Sequence, residues 1–403
     1  MGDRVSRICV IGLDGRPLGA EAEDLLREAD LVFGGGRHLT TLGVAPERSV
    51  ALGGDLSEAM DRIEGAGGSV VVLASGDPGF FGIVRLLGEQ FGTESLRVIP
   101  AVSSVALAFA RAGLSWDDAL TASAHGRDPR RAANLCRAYP KVAVLTAPRF
   151  GPAELAAELD GLGRTFVVAE RLGEPGERVF RGDAAAVAAS EWEDPNIVLV
   201  LDDDRVAAKK GWRSGPETAR GWALSDEEFE RRSGMITKPE VRAVVLARLA
   251  PAPGDLIWDV GAGSGSVAVE CARIGAAAVA VERDPESCAR IHRNAARHDA
   301  YVEVVEGEAP ETLHGLPEPD AVFVGGTGGG FEEIVKLAAV RARRGVVLTL
   351  VTLERALPAG EILSGCGLEV ETALLQVSPV KSVGTLHRLA PETPVFVVSG
   401  SRP

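Results

Sequence analysis

The chain has 403 residues, 46% of them apolar, and a formal net charge of −14. That length exceeds one typical domain and predicts two of roughly 200 residues each, while the acidic balance argues against a nucleic-acid or anionic-membrane partner and leaves room only for local basic pockets. The five cysteines (Cys9, Cys136, Cys271, Cys288 and Cys366) are scattered, with no C-x-x-C pair, and so predict reduced thiols, mostly in cores, rather than a disulfide frame or a metal site.

The opening residues are followed by only a short apolar run, which does not read as a signal peptide. No stretch approaches the length needed to span a bilayer. A cytoplasmic protein with no membrane partner is the expectation.

In chain order, Arg7–Ile11 reads as a short buried strand ending at Gly12-Leu-Asp-Gly15. Ala20–Ala29 has helical periodicity, and Leu31–Phe33 is a second strand closed by Gly34-Gly-Gly36. Val70–Ala74 is the clearest strand of this half, and it runs into Ser75-Gly-Asp-Pro-Gly-Phe-Phe-Gly82, with a helix from about Ile83. Leu96–Ile99 leads to Pro100-Ala-Val-Ser103-Ser104 and another helix. Alternating strands and helices imply a largely parallel α/β sheet with ligands at the strand carboxyl ends, where both polar turns fall. Val142–Thr146, Thr165–Ala169 and Asn196–Val200 predict a second α/β lobe, ended by Asp202-Asp-Asp204, an acidic run expected to be solvated.

Three segments of this half, Ser75–Gly82, Ile99–Ser104 and His125-Gly-Arg127, resemble the tetrapyrrole methylases, and the resemblance spans residues 8 to about 201. It implies a two-lobed fold holding S-adenosyl-L-methionine (SAM), with Ser75, Gly76, Asp77, Ser103 and Ser104 lining the site and Gly12 in the opening loop. The loop Gly12-Leu-Asp-Gly15 is shorter and poorer in glycine than the family pattern. On residue chemistry alone, Asp77 before Pro78 is equally a structural turn. His125, Arg127, Arg130 and Arg131 form a basic cluster, read either as a solvated helix start or as a dock for substrate carboxylates, which a guanidinium fork suits.

Lys209–Thr218 is polar and rich in turn formers, as expected of a domain boundary. Ser225 and Glu228 predict a capped helix start, and Pro239 suits the first position of a helix to Leu249. The boundaries expected are 1–205 for the first module, 206–224 for the linker and 225–403 for the second.

The second half is organised around strand Leu256–Val260, the turn Gly261-Ala262-Gly263-Ser264-Gly265 and the helix that follows. Such a turn lets a ligand lie close to the backbone and aims free N–H groups at it. A dehydrogenase fingerprint needs its third glycine where Ser266 stands. The second strand, 277–281, ends at Glu282, at the spacing of a ribose-binding carboxylate. Helix 285–298, strand 301–305, strand 320–324, the run Gly325-Gly-Thr-Gly-Gly-Gly330, strand 345–350, a helix near 354–364 and two final strands, about 368–377 and 393–399, predict a Rossmann-like plan with an antiparallel finish. The glycine-rich run reads as a ligand turn or as a flexible loop. Ser378–Arg388 is basic and longer than a tight hairpin needs, and reads as a solvated loop or as a clamp over an acidic substrate.

Met235–Arg242, Trp258–Gly265, Glu306–Pro310 and Phe323–Gly326 occur together and in order, and resemble the decarboxylating precorrin methyltransferases. The resemblance implies a class I SAM-dependent domain in which Thr237, Gly261–Gly265, Glu282 and Ala309 contact SAM. Glu308 stands where that family usually has Asp. Together the two resemblances imply one SAM per domain and a tetrapyrrole substrate, precorrin-6B. It would be methylated at carbons 5 and 15 and would lose its ring C acetate carboxyl, giving precorrin-8 in cobalamin biosynthesis. They also make a homo-oligomer the expectation. No protein nucleophile is required, because alignment and exclusion of water can supply much of the acceleration. His387, Lys381 and Glu240 are candidate proton donors for the decarboxylation, and Arg127, Arg130, Lys381 and Arg388 are candidate docks for the substrate's carboxylates. Two alternatives remain at this stage: a nucleotide-dependent oxidoreductase, and a methyltransferase with one decayed half.

Overall fold

The computed structural model describes residues 8–53, 57–206, 215, 221–232 and 236–403. Most of the expected linker segment 209–218, and motif residues Gly234 and Met235, lie outside them. The chain divides into two compact units: residues 1–117, 143–157 and 165–200 form one, and residues 118–142, 158–164 and 201–403 form the other.

In the first unit the elements β1 (Ile8–Leu13), α1 (Ala20–Glu28), β2 (Leu31–Gly34), α2 (Gly36–Thr41), β3 (Ser49–Ala51), α3 (Ser57–Gly65), β4 (Val70–Ser75), α4 (Val84–Phe91), β5 (Leu96–Ile99) and α5 (Ser104–Ala112) follow in order. The strands form a parallel sheet in the order β3-β2-β4-β1-β5. The unbroken apolar runs of β1 and β4 are buried from Ile8 to Ile11 and from Val70 to Leu73, as a parallel strand covered on both faces requires. Leu13 pairs with Ser75 at the carboxyl ends of β1 and β4.

A second sheet comprises β6 (Leu120–Ser123), β7 (Lys141–Leu145), β8 (Thr165–Glu170), β9 (Arg178–Asp183) and β10 (Asn196–Leu201), in the order β6-β7-β10-β8-β9. Between its strands run α6 (Pro129–Ala138), α7 (Pro152–Glu158) and α8 (Ala184–Ala188). The expected solvated run at 202–204 needs correction at its first residue. Asp202 is buried against the Arg164 guanidinium, which also lies 4.5 Å from the Tyr301 ring centroid.

The second unit carries α9 (Pro239–Leu249), β11 (Leu256–Val260), α10 (Ser266–Ile274), β12 (Ala277–Glu282), α11 (Pro285–Arg297), β13 (Glu303–Glu306), β14 (Ala321–Val324), α12 (Phe331–Arg341), β15 (Gly345–Leu350), α13 (Leu353–Gly365), β16 (Glu369–Leu375), β17 (Val380–Val383), β18 (Leu386–Leu389) and β19 (Val395–Ser401). Its seven-stranded sheet runs β13-β12-β11-β14-β15-β19-β16. The first five strands are parallel, and β19 is antiparallel to both of its neighbours. Strand order reverses at β11, which places a crevice at its carboxyl end. A core of Trp258, Val279, Val322, Ile334 and Leu348 fixes the sheet against its helices.

Two local expectations are corrected. Ser225 begins only a 3-10 turn, Asp226–Glu228, and its hydroxyl makes no capping bond. Segment 378–388 folds into the tight hairpin β17–β18, in which Val383 pairs with Leu386 across Gly384 and Thr385. Gly384 takes φ +63, a value glycine adopts without strain. Among the described residues no helix is long and apolar enough to cross a membrane, and no three or more His, Cys, Asp or Glu side chains are grouped to hold a metal ion.

Candidate functional site

A cavity of about 760 Å³ in the second unit opens at the carboxyl end of β11 and is lined by Thr237, Asp259, Gly261–Ser264, Glu282, Ala309 and Thr327 among others. Its floor follows from the glycine turn. Gly261, Gly263 and Gly265 all adopt positive φ. A Cβ on Gly261 would overlap the carbonyl oxygen of Gly326, and one on Gly265 would strike Ile291. The glycine-rich run after β14 is therefore packed against the first turn at Gly326.

Glu282 is fixed at the cavity wall by three backbone donors. Its Oε2 accepts the Gly263 N–H at 2.8 Å, and its Oε1 accepts the N–H groups of Arg283 at 2.9 Å and Asp284 at 3.0 Å. A carboxylate held this way can still accept hydroxyl donors from a ribose, because it has about four lone-pair directions. Asp259 lies beneath the turn and is fully buried. Its Oδ2 accepts the Ala268 N–H at 2.9 Å, and its Oδ1 has no partner. Burial pushes its pKa up to about 7; the Ala268 bond opposes this shift and the nearby Glu282 charge adds to it.

Two polar side chains to which the sequence assigns no role brace the cavity. Arg242, fully buried on α9, donates to Glu270 Oε1 at 3.1 Å and to the Thr237 carbonyl at 2.6 Å. Asn294 donates to the Ser264 carbonyl at 2.8 Å. Arg242 is flanked on α9 by buried apolar residues, and Asn294 lies on a face of α11 that also buries Ser287 and Arg290, so neither helix shows a purely apolar stripe that would mark them as buried.

Of the candidate proton donors, His387, Lys381 and Glu240 do not line this cavity. Lys381 and His387 lie on the exposed β17–β18 hairpin, where Lys381 pairs in register with Arg388. Glu240 is exposed in the first turn of α9. His125 and Arg127 sit exposed on the turn before α6. Arg130 is turned elsewhere, donating to Asp320 at 3.0 Å and to the Glu318 carbonyl at 3.2 Å.

In the first unit, Gly12 and Ser75 stand at the carboxyl ends of β1 and β4, and Gly76 and Asp77 after β4 adjoin Ser103 and Ser104 at the start of α5. The Gly76 N–H donates to the Leu13 carbonyl at 2.6 Å. A Cβ on Gly12 would crowd the Gly76 carbonyl and the Ala101 nitrogen, so the short opening loop still makes a close backbone approach. The Asp77 carboxylate closes its own turn on the Gly79 N–H at 2.8 Å, and the Ser103 hydroxyl caps α5 through the Ala106 N–H at 3.2 Å. Asp14, unassigned by the sequence reading, accepts the Val102 N–H at 3.3 Å, and its pKa is lowered chiefly by its bond from Arg16.

Two families match the chain. Tetrapyrrole (corrin/porphyrin) methylases match residues 13–188, and the precorrin methyltransferase domain matches residues 227–402. A precorrin-6Y C(5,15)-methyltransferase [decarboxylating] from Sinorhizobium sp is 40% identical over 341 residues, which is 82% of this chain and 80% of that protein. The chain belongs to the decarboxylating precorrin-6Y C5,15-methyltransferase family. It is accordingly a SAM-dependent methyltransferase of cobalamin biosynthesis, with two α/β methyltransferase modules in tandem. Two relatives each cover about half of it. A cobalt-precorrin-7 C(5)-methyltransferase from Salmonella typhimurium is 36% identical over 46% of this chain and 92% of its own length. A probable cobalt-precorrin-6B C(15)-methyltransferase (decarboxylating) from Pyrobaculum calidifontis is 37% identical over 44% of this chain and 94% of its own length.

The residues present fit the methyl donor. Glu282 offers a fixed acceptor at a glycine turn, and Asp259 offers a buried oxygen without a partner.

Proposed function

We propose that residues 1–205 methylate carbon 5 of precorrin-6B and that residues 225–403 methylate carbon 15 and release the ring C acetate carboxyl as carbon dioxide, giving precorrin-8. Each module takes its own SAM. The observation that carries the reading is Glu282 bonded to the Gly263 N–H in a cavity at the point where strand order reverses. The half-length relatives support the division of labour, since each is named for one of the two methylations.

SAM supplies a methyl group on positive sulfur, which an electron-rich ring carbon can take without a protein nucleophile. The chain's own task is to seat, align and dry the reactants. Thr237, Gly261–Gly265, Glu282 and Ala309 would hold the donor in the second module, and Gly12, Ser75, Gly76, Asp77, Ser103 and Ser104 in the first. The Arg242 bond to the Thr237 carbonyl keeps that segment at the cavity mouth. Arg127, Lys381 and Arg388 are exposed cations in an acidic chain and suit the substrate's carboxylates.

The protein is further proposed to work in the cytoplasm, without nucleic acid, as a homo-oligomer. Its cysteines are unpaired and mostly buried. The β17–β18 hairpin presents Val380, Val383, Leu386 and Leu389 to solvent, each more than half exposed, which suits burial against another copy.

Anaerobic incubation with precorrin-6B and SAM, followed by mass spectrometry, tests the reading. A product with two added methyl groups and one carbon dioxide fewer is expected. An unchanged substrate, or a product with a single added methyl, overturns it.

A further inference from the structure

The carboxyl ends of β2 and β4 bring Ser75 together with His38, a side chain that no part of the reading above uses. His38, on α2, places its Nε2 2.7 Å from the Ser75 hydroxyl. Ser75 is the last residue of β4, next to the Gly76–Leu13 contact that joins β4 to β1. The pair therefore stands at the ligand-facing end of the first sheet. Ser75 has so far been assigned only through its place in the glycine-aspartate-proline turn.

Methylation of a ring carbon that carries hydrogen must shed a proton. We propose that His38 and Ser75 form the proton-accepting pair of the carbon-5 methylation, with Ser75 Oγ relaying the proton to His38 Nε2. In the resting pair the imidazole is neutral with its proton on Nδ1, and the Ser75 hydroxyl donates to Nε2. As carbon 5 bonds to the incoming methyl carbon, the carbon–sulfur electron pair returns to sulfur. The carbon 5–hydrogen bond breaks, its electron pair stays in the conjugated ring, and the proton passes through Ser75 to His38, leaving an imidazolium. No oxidant or reductant is needed.

The surroundings suit this role. Burial holds the His38 pKa below its ordinary value; the Arg37 charge acts in the same direction and the Glu174 charge opposes it. Arg37 lies on the same helix and is itself bound to Glu174 at 2.9 Å, so the charge nearest the ring is largely matched. Glu174 is also approached by Arg171 at 3.8 Å. The ring is thus free to accept a proton at neutral pH, which a histidine base requires.

The inference rests on the assignment of carbon-5 methylation to residues 1–205, and the experiment separates the two. The full chain carrying His38→Gln is incubated with precorrin-6B and 13C-methyl SAM, and the products are read by mass and by 13C NMR. The expected product has carbon 15 methylated and the acetate carboxyl lost, with carbon-5 methylation slowed by about 100-fold or more. Wild-type carbon-5 methylation with an unchanged pH profile overturns the pair's role, because Gln can keep a hydrogen bond to Ser75 but cannot take the proton. Loss of the carbon-15 methyl with carbon 5 intact overturns the module assignment instead. A second readout needs no turnover: the His38 ring is titrated by NMR in the wild type and in Ser75→Ala. Loss of a hydroxyl that favours the neutral ring raises the His38 pKa, and an unchanged or lowered value overturns the proposed tautomer.

Discussion

Arg242 and Glu270 form an ion pair with both side chains fully buried, at 3.1 Å. Glu270 also accepts the N–H groups of Leu224 at 2.7 Å and Ala223 at 3.1 Å, so the pair ties α9, α10 and the segment before the module's first helix together. A buried pair is weak evidence of net stabilisation, but removing one partner leaves the other charge buried and less compensated, even with Arg273 3.4 Å from Glu270. Arg242→Met or Glu270→Ala should each lower stability by about 3–5 kcal/mol, read as a shift in the urea midpoint. The double variant should lose less than the sum of the two, since the direct Arg242–Glu270 interaction is then lost only once. Additive losses would show that the two side chains act independently.

Asp259 makes stability depend on pH. Its folded-state pKa is about 7, above its ordinary 3.8. As pH rises the unfolded chain loses this proton first, so between about pH 4 and pH 7 the folded state binds more protons than the unfolded one. By linkage the stabilising contribution is fully present below about pH 4 and is lost as pH climbs through about 7. Asp259→Asn should remove that slope, measured as the difference between denaturation midpoints at pH 5 and pH 8. An unchanged slope would place the carboxylate in a more polar setting than its burial implies.

Glu282 offers a direct count of sites. Glu282→Ala leaves the Gly263 N–H without its acceptor and removes the proposed partner of the ribose hydroxyls. A charge-assisted hydrogen bond contributes about 1.5–3 kcal/mol, so affinity for S-adenosylhomocysteine at that site should fall about 10- to 100-fold. Titration calorimetry on the wild type should give two equivalents per chain. On the variant it should give one tight equivalent and one weak or undetected. Two tight equivalents in the variant would remove Glu282 from the donor site.

These sites were unevenly legible in the sequence. The glycine turn and Glu282 are legible because strand, turn and helix are consecutive, and glycine takes positive φ beside another backbone without strain. The structure supplies the contact at Gly261, where the Gly326 carbonyl leaves no room for a Cβ. The parallel strands were readable from their apolar runs, whereas β9 was missed because most of its residues face solvent. The hairpin at 380–389 is not legible as a strand pair, because its apolar residues are exposed and carry no core-facing alternation. His38 was missed for a different reason. It lies 37 positions from Ser75, and only the parallel pairing of β2 with β4 brings them together.

Arg130 separates substrate binding from packing. Sequence grouped it with Arg127, yet its guanidinium lies on Asp320 and the Glu318 carbonyl. Arg130→Ala should therefore lower stability by about 1 kcal/mol and leave the KM for the tetrapyrrole unchanged. Arg127→Ala, exposed on its turn, should raise that KM with little effect on the thermal midpoint. The opposite pattern would return Arg130 to the substrate dock.

The β17–β18 hairpin carries the prediction about assembly. Val383 and Leu386 face each other across its tip, and Leu386 is 73% exposed. An apolar strand pair left in water is an edge awaiting a partner, and an inward charge is the usual means of blocking such pairing. Val383→Asp with Leu386→Asp should convert a homo-oligomer to single chains in light scattering. The fold should survive, because neither side chain contributes to the core. A mass unchanged by the double substitution, whether oligomeric or monomeric in both proteins, would show that self-association does not use this hairpin.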